Sequence, residues 1–413
     1  GTGTPANNTG GCNVAIGLQA GKCMKSGADN IALGYRGLYT STDGARNVGL
    51  GASALQALTS GTENIAIGKS ALLALTTGNS NVAIGQSTMS SADGGEDMNV
   101  AIGYQTMNLV NNDSADHNIA LGYQSLQTTQ TADSVAIGNQ ALKAESTGTL
   151  NVALGAKAGL GLTTASYNTF INNGVGATGE TAGTTTGNQN VGIGYASLTK
   201  LTDGAGNVGI GVQAGMNATG ADNNILLGFQ TGLNITDGQN NVILGWRAGD
   251  GGNFSNVVAI GYNAGSAINS ADANQTTLIG YNAGASITSA LHTTAVGAYS
   301  LDAVTTGNYN TSFGYWSSSG ITTGAGNVAL GYTALYTPTT ATDCVAVGNS
   351  AMYGVATAQA VDGVVAVGKD AVKGSGSTTT GINGTVGIGH SALKAITSGA
   401  GNTAIGFESG KSL

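Results

Sequence analysis

The chain contains few side chains that could perform acid–base or nucleophilic chemistry. Its 413 residues include three histidines and 21 acidic residues. The acidic residues fall mostly in polar turns, as Asp29 and Asp203 do, and no acidic pair stands out that could cleave a glycosidic bond. His117, His292 and His390 lie many residues apart, which is typical of unrelated turn residues. The sequence therefore predicts no catalytic residues, and we expect the protein not to be an enzyme.

The three cysteines form a weak pattern. Cys12 and Cys23 are close in sequence and Cys344 is far from both, and no C-x-x-C pair exists that would predict a zinc site. A disulfide between Cys12 and Cys23 would close the first repeat. The alternative is that all three are small thiols in the interior. We predict no metal site and no cofactor.

Aromatic residues form a pattern that could bind a ligand. Eleven of them directly follow a glycine that recurs through the chain. Aromatic faces with polar neighbours suit sugar rings, although the same residues could seal a turn by stacking on one another. The candidates for ligand binding along this edge are Trp246, Tyr262, Tyr281, Tyr315, Trp316 and Tyr332.

A repeated phrase positions these aromatic residues. It is exemplified by TTGNSNVAIGQS at 76–87, and it occurs 23 times, most often 17 residues apart. A fixed period of this kind is typical of a solenoid. Each copy is aligned on a glycine, which Asn172 replaces once, and the preceding residues alternate with period two. This alternation predicts a short strand, and the glycine predicts a corner with positive φ. The first five predicted corners are Gly17, Gly34, Gly51, Gly68 and Gly85.

Each position of the repeat, which we call a slot, recurs from copy to copy, and the slots together predict the fold. We expect an all-β protein, a parallel β-solenoid or β-roll of about 23 coils with a 17-residue period. It would form one continuous domain over residues 1–413, with the first coil, 1–23, as a candidate N-terminal cap. Departures from the period predict longer loops at 173–189, 352–363 and 373–384.

The two faces of the predicted strand differ in size. The residue in the middle of the strand is Ala, Gly or Ser in 19 of 23 copies, whereas its neighbours are larger. We expect the Val/Ile side to fill the coil and the small side to contact identical chains closely around a shared axis. The alternative is that Ala merely tolerates an exposed strand. The predicted trimer interface is represented by Ala83, Ala101, Ala120, Ala136 and Ala153.

The phrases NSNVAIGQS, NVAIGYQT and DSVAIGNQAL resemble the head repeat of YadA-type trimeric autotransporter adhesins and similar repeats of phage tail fibres. The resemblance covers nearly the whole chain. It implies a left-handed β-roll, a homotrimeric rod and an adhesive surface. The period is longer than is typical of those heads, and no heptad stalk or C-terminal membrane anchor follows. These departures favour a viral fibre, or a fragment of a longer filament.

The charge and the hydropathy of the chain limit the kinds of molecule that we expect it to bind. A net charge of −8 disfavours nucleic acid, since phosphate binding needs clustered basic residues. No apolar run approaches the ~18 residues of a membrane helix, so we expect no membrane insertion. We expect an extracellular fibre, on a virion or a cell surface, that binds a cell-surface glycan or protein through its longer loops and aromatic edge. The alternatives are a bacterial adhesin or extracellular-matrix filament, and a polysaccharide-degrading tailspike.

Overall fold

The structure, a computed structural model, describes residues 9–176, 186–355, 360–375 and 379–411. Within these residues the chain divides between two compact units, Gly1–Gly206 and Asn207–Leu413. The only helical turn in the described ranges is a 3-10 segment, Ala271–Ala273, and nothing there could cross a membrane as a helix. Parts of the predicted cap and loops fall on residues 1–8, 177–185, 356–359 and 376–378, which lie outside the described residues.

Short strands, each of three residues, make up both units. The first unit contains β1 (Val14–Ile16), β2 (Ile31–Leu33), β3 (Val48–Leu50), β4 (Ile65–Ile67), β5 (Val82–Ile84), β6 (Val100–Ile102), β7 (Ile119–Leu121), β8 (Val135–Ile137), β9 (Val152–Leu154), β10 (Thr169–Ile171) and β11 (Val191–Ile193). The second unit contains β12 (Val208–Ile210), β13 (Ile225–Leu227), β14 (Val242–Leu244), β15 (Val258–Ile260), β16 (Thr277–Ile279), β17 (Thr294–Val296), β18 (Thr311–Phe313), β19 (Val328–Leu330), β20 (Val345–Val347), β21 (Val365–Val367), β22 (Val386–Ile388) and β23 (Thr403–Ile405).

Consecutive strands within each unit pair in parallel and in register. Val82 of β5 lies opposite Val100 of β6, and in the second unit Val345 lies opposite Val365. Because the register is kept, every slot of the repeat forms a column of equivalent residues. The predicted all-β parallel solenoid is confirmed, with about 22–23 turns and a period of about 17 residues.

A glycine follows each strand and turns the corner, except after β10, where Asn172 takes its place with φ of 107°. Gly51 has φ of 133°, and a Cβ on it would lie 2.6 Å from the carbonyl oxygen of Gly68 in the next coil. No side chain fits at that distance, and L-residues rarely adopt that φ. The other glycines predicted as corners have φ between 119° and 134°: Gly17, Gly34, Gly68 and Gly85.

Buried asparagines connect the coils just before the strands. The Asn47 Nδ2 donates to Asn30 Oδ1 at 3.2 Å and to the Gly61 carbonyl at 2.8 Å. The backbone N–H of Asn47 donates to the same Asn30 oxygen at 2.9 Å, and both side chains are buried. Asn64 repeats this arrangement on Asn47. Each amide satisfies polar groups of its neighbouring coils, which is what allows it to be buried.

The small residues of the strands face the interior of the coil, and the β-branched residues face outward. Val82 and Ile84 are partly exposed, whereas the residue between them is buried in the single chain. The prediction that Val and Ile fill the coil, and that the small side meets another chain, was therefore wrong. The residues predicted as the trimer interface all lie inside the coil and have no exposed surface: Ala83, Ala101, Ala120, Ala136 and Ala153.

The space inside the coil explains these small residues. The segment after the corner turns a large side chain inward, and Leu72, for example, is completely buried. Where the strand itself contributes a large residue, the facing residue is Gly. A Cβ on Gly232 would lie 2.9 Å from Leu226, and one on Gly284 would lie 2.7 Å from Leu278. Strand and return segment therefore share one limited interior volume.

The three cysteines are free thiols: Cys12 is exposed, Cys23 is partly exposed and Cys344 is buried. The suggested Cys12–Cys23 disulfide is thus not formed: Cys12 lies before β1 and Cys23 after the corner at Gly17, and both carry free thiols. The alternative of three interior thiols holds only for Cys344. It replaces the ladder asparagine before β20, where burial raises its pKa to about 11.

Candidate functional site

Aromatic residues that follow the corner form stacked columns. Because equivalent slots lie above one another in a parallel in-register sheet, successive rings are one coil apart. In the first unit Tyr104 and Tyr123 stack with their ring centroids 5.8 Å apart. In the second unit a longer run consists of Phe229, Trp246, Tyr262 and Tyr281.

Rings within this longer run have both faces covered. The centroid of Tyr262 lies 4.7 Å from that of Trp246 and 5.0 Å from that of Tyr281, with nearly parallel planes. A ring covered on both faces offers a ligand only its edge and its hydroxyl. Trp246, Tyr262 and Tyr281, predicted as ligand-binding residues, therefore fit better the alternative interpretation, a stack that seals the corner.

The other three predicted residues come together further along the second unit. Tyr315 stacks on Tyr332 at 5.9 Å, and its centroid is 5.0 Å from that of Trp316. Tyr299 joins this group to the preceding run. It makes edge-on contacts with Tyr281 at 5.2 Å and with Tyr315 at 6.2 Å.

A second aromatic column begins at Trp316. Its ring centroid is 5.7 Å from that of Tyr336, which in turn stacks on Tyr353 at 5.4 Å. Beside these rings lies a cavity of ≈ 310 Å³. Its lining consists of Trp316, Tyr332, Thr333, Tyr336, Ser350, Tyr353 and Lys373. The structure thus brings Trp316 and Tyr332 to one concave site.

Hydroxyl groups and an ammonium group make this cavity polar. The hydroxyls of Thr333 and Ser350 are 3.1 Å apart, and Lys373 Nζ lies 3.1 Å from Asp370 Oδ1. Lys394 Nζ lies 3.1 Å from the other Asp370 oxygen. Burial alone would raise the pKa of Asp370, but hydrogen bonds from the two lysines prevail and hold that pKa below its ordinary value. The carboxylate is therefore ionised at neutral pH, and the three groups carry one net positive charge.

Three carboxylates meet elsewhere, in the first unit. Among the described residues, Asp93, Glu96 and Asp113 form the group of side chains that could hold a metal, with ligand oxygens within 4.8 Å of one another. Glu96 accepts hydrogen bonds from the N–H groups of Asp93 and Gly94, and burial raises its pKa. Asp113 accepts one from Gly95 N–H at 2.9 Å. These hydrogen bonds indicate that the carboxylates stabilise the turns between coils.

The three histidines have separate contacts. His117 Nδ1 is 3.6 Å from an oxygen of Asp133, His292 stacks on Tyr309, and His390 stacks on Phe407. They do not share a site, as their spacing predicts.

No protein-family model matches this chain, and no curated protein matches it either.

Sequence reasoning missed Tyr336, Tyr353 and Lys373, which line the cavity. All three occupy one slot, the fifth residue after the corner glycine, and the same slot holds Lys394 and Lys411 in the last two coils. The alignment that revealed the corner column also contained this second column. Reading every slot along the chain, and not only the slot next to the glycine, would have found it.

Proposed function

We propose that this chain is the subunit of a homotrimeric extracellular fibre whose strands pack against identical chains through their outward Val/Ile face. One observation carries the proposal: the outward face of the strands consists mainly of Val, Ile and Leu, with Thr in a minority of coils, and it stays partly exposed among the described residues. Ile67, Ile119 and Ile137 are 36–39% exposed, for example. Contiguous apolar surface is uncommon on soluble monomers and marks interfaces.

An identical chain is the partner that fits this face best. The exposed columns repeat at the ~4.8 Å spacing of parallel strands, so a partner must present apolar side chains at that same spacing over many coils. A parallel second copy does so at every coil. The strands contain no charged residue that would oppose the contact. The number of three chains and the left-handed winding come from the resemblance to YadA-type heads.

We also propose that the fibre is an appendage like a phage tail fibre and binds a cell-surface glycan or protein. Regular coils present the same surface repeatedly, whereas the aromatic cavity of the second unit interrupts this repeated surface with a different shape. Specific recognition needs such a distinct shape. A bacterial surface adhesin or matrix filament would use the same features. A polysaccharide-degrading tailspike has less support, because the clustered carboxylates are bound to backbone N–H groups.

The mass of the purified protein in solution tests the assembly. We expect the mass of three chains for the unmodified protein and of one chain for the double variant Val82→Lys, Val100→Lys. Both side chains point outward, so the variant should keep its β-sheet circular dichroism. The control places two lysines at exposed polar positions, Thr77→Lys and Gln86→Lys, and should remain trimeric. A monomeric unmodified protein would contradict the proposal.

A further inference from the structure

We propose that the cavity lined by Trp316, Tyr332, Tyr336 and Tyr353 binds an acidic saccharide. One sugar ring would occupy the cavity, and its acidic groups would lie at the lysine column, which comprises Lys373, Lys394 and Lys411. The inference rests on the proposed function, because only a fibre displayed outside the cell would reach a surface glycan.

The size and the polarity of the cavity suit a sugar. Its ≈ 310 Å³ falls at the lower end of ligand pockets, which span roughly 300–1,000 Å³. Tyr332, Tyr336 and Tyr353 combine an apolar ring with a hydroxyl, and Thr333 and Ser350 add two more hydroxyls. A pyranose has the complementary character, since it combines C–H groups with several hydroxyls that donate and accept hydrogen bonds.

The arrangement of the rings favours an oxygen-rich ligand over a nucleobase. Tyr336 contacts the rings of Trp316 and Tyr353, so both of its faces are occupied. Tyr353 has Tyr336 on one face and Lys373 Nζ 5.3 Å from its centroid, and Tyr332 has one face covered by Tyr315. Nucleobases bind by stacking on open aromatic faces. Covered rings present edges, which carry partial positive charge, and hydroxyls, both of which suit the oxygens of a sugar.

Charge at the cavity favours an acidic sugar. Lys373 Nζ lies 5.3 Å from the centroid of the Tyr353 ring, and Lys394 and Lys411 continue its slot through the next two coils. Residues 364–411 carry four lysines against two carboxylates, although the whole chain has a net charge of −8. A locally positive surface of this kind attracts anions. The side chains of Lys373 and Lys394 are 31% and 37% exposed, so they remain accessible to a ligand.

The first unit provides a natural contrast for this site. Beside its stacked pair, Tyr104 and Tyr123, the slot of the second column holds Asn108 and Gln127, which hydrogen-bond to each other at 2.9 Å. The next coil carries Lys143 in that slot. The first unit therefore has a lysine in the equivalent position but amides in place of the second aromatic wall.

Fluorescence of Trp316 tests the proposal directly. The chain has two tryptophans, so Trp246→Phe leaves Trp316 as the single reporter, at the cavity. The intact assembled protein is titrated with an oligogalacturonate, a sulfated galactan oligosaccharide and a neutral galactan oligosaccharide of equal length. We expect at least one acidic sugar to shift the emission and to bind about tenfold more tightly than the neutral sugar. Comparing the two acidic sugars shows whether carboxylate or sulfate is preferred.

Matched variants assign the binding to the cavity. Lys373→Gln should weaken binding of the acidic sugar about threefold to tenfold, in a manner that added salt diminishes, whereas Lys143→Gln should leave it unchanged. Tyr353→Leu should weaken binding of the same sugar, while Tyr123→Leu should not. Circular dichroism of each variant verifies that it is folded.

Several outcomes would overturn the inference. These are an unchanged Trp316 emission with both acidic sugars, equal affinity for acidic and neutral sugars, equal effects of Lys373→Gln and Lys143→Gln, or tighter binding of an oligothymidylate than of either acidic sugar. The last outcome would identify a single-stranded nucleic-acid site. A trimer without the sugar response contradicts this inference alone, whereas a monomer that binds the acidic sugar contradicts only the proposed fibre.

Discussion

The two units build the same coil with different distributions of side-chain volume. In the first unit most strands place Ala or Gly inside, opposite Leu or Met, as Ala83 does with Met89. In the second unit three strands place a large residue inside, and the facing residue is Gly, as with Leu226 and Gly232; in the first unit only β10 does so, with Phe170 and Gly176. A large residue in the strand is therefore accompanied by Gly in the facing slot, so the two slots do not vary independently.

The corner glycine varies least in both units, with Asn172 as its single replacement. We expect Gly68→Val in the first unit and Gly297→Val in the second to have the largest effects on stability, at least about 3 kcal/mol in each case. At both positions φ is near 130° and an added Cβ would collide with the carbonyl oxygen of the next corner glycine. Thermal unfolding measures the loss. The neighbouring changes Lys69→Val and Ala298→Val should be nearly neutral, and equal losses at glycine and neighbour would show that the corner is not the cause.

The interiors also differ at one slot, which holds a buried carboxyl group in the first unit. Glu145 of the first unit is buried in the slot that holds Ile235 and Ile287 in the second. Ser134, which interrupts the asparagine ladder, donates to Glu145 Oε1 at 2.8 Å, while Oε2 lacks a hydrogen-bond partner. Burial raises the pKa of Glu145 from 4.5 to about 8. The folded state thus retains a proton that the unfolded state releases, so the stability of this coil should fall as pH rises from about 4.5 to 8.

Glu145→Leu should remove this pH dependence. Below pH 4.5 Glu145 is protonated in both the folded and the unfolded state, so removing its charge should change the free energy of unfolding little. Above pH 8 we expect Glu145→Leu to raise the free energy of unfolding by a few kcal/mol. Calorimetry at pH 5 and pH 8.5 measures the difference, and Glu63→Gln, at an exposed carboxylate, is the control. A gain that is the same at both pH values would mean that Glu145 does not titrate within the coil.

Exchanging the packing of one coil tests the comparison of volumes. Ala83→Leu should destabilise the first unit by about 1–3 kcal/mol, because the interior opposite Met89 has no room for the added atoms. Adding Met89→Gly should recover most of this loss, since the pair then copies Leu226 and Gly232. Denaturant unfolding of the single and double variants gives the coupling energy. Met107→Gly, in the next coil, should not restore the stability lost in Ala83→Leu. Equal recovery with either glycine would show that the effect does not depend on the residue facing position 83.

The repeat made the coil predictable but left its inward side undetermined. Period-two alternation shows that Val82 and Ile84 share a face and that Ala83 occupies the other, yet it does not say which face is inside. That choice depends on residues that reach the interior from elsewhere in the coil, such as Met89. The sequence contained the necessary signal, because Leu226 is followed six residues later by Gly232 where Ala83 is followed by Met89.

The binding cavity was only partly predictable for a related reason. Tyr315, Trp316 and Tyr332 stand out as aromatic residues next to a corner. The cavity, however, arises where two columns face each other, and the second column uses a slot that is polar or aliphatic in many other coils. Which slots lie side by side across a corner is a matter of backbone geometry and cannot be inferred from a period alone.

The smallest expected effect concerns the aromatic columns themselves. Tyr262 of the second unit contacts a stacked ring on each face, whereas Tyr123 of the first unit stacks on Tyr104 alone. Each aromatic pair contributes about 0.5–1.5 kcal/mol beyond area burial, and the two rings are 40% and 44% exposed, so burial itself differs little. Tyr262→Ala should therefore cost about 0.5–1.5 kcal/mol more than Tyr123→Ala, as measured by chemical unfolding. Equal losses would show that the second ring contact adds nothing, and the long column of the second unit would then be better explained by what it binds than by what it stabilises.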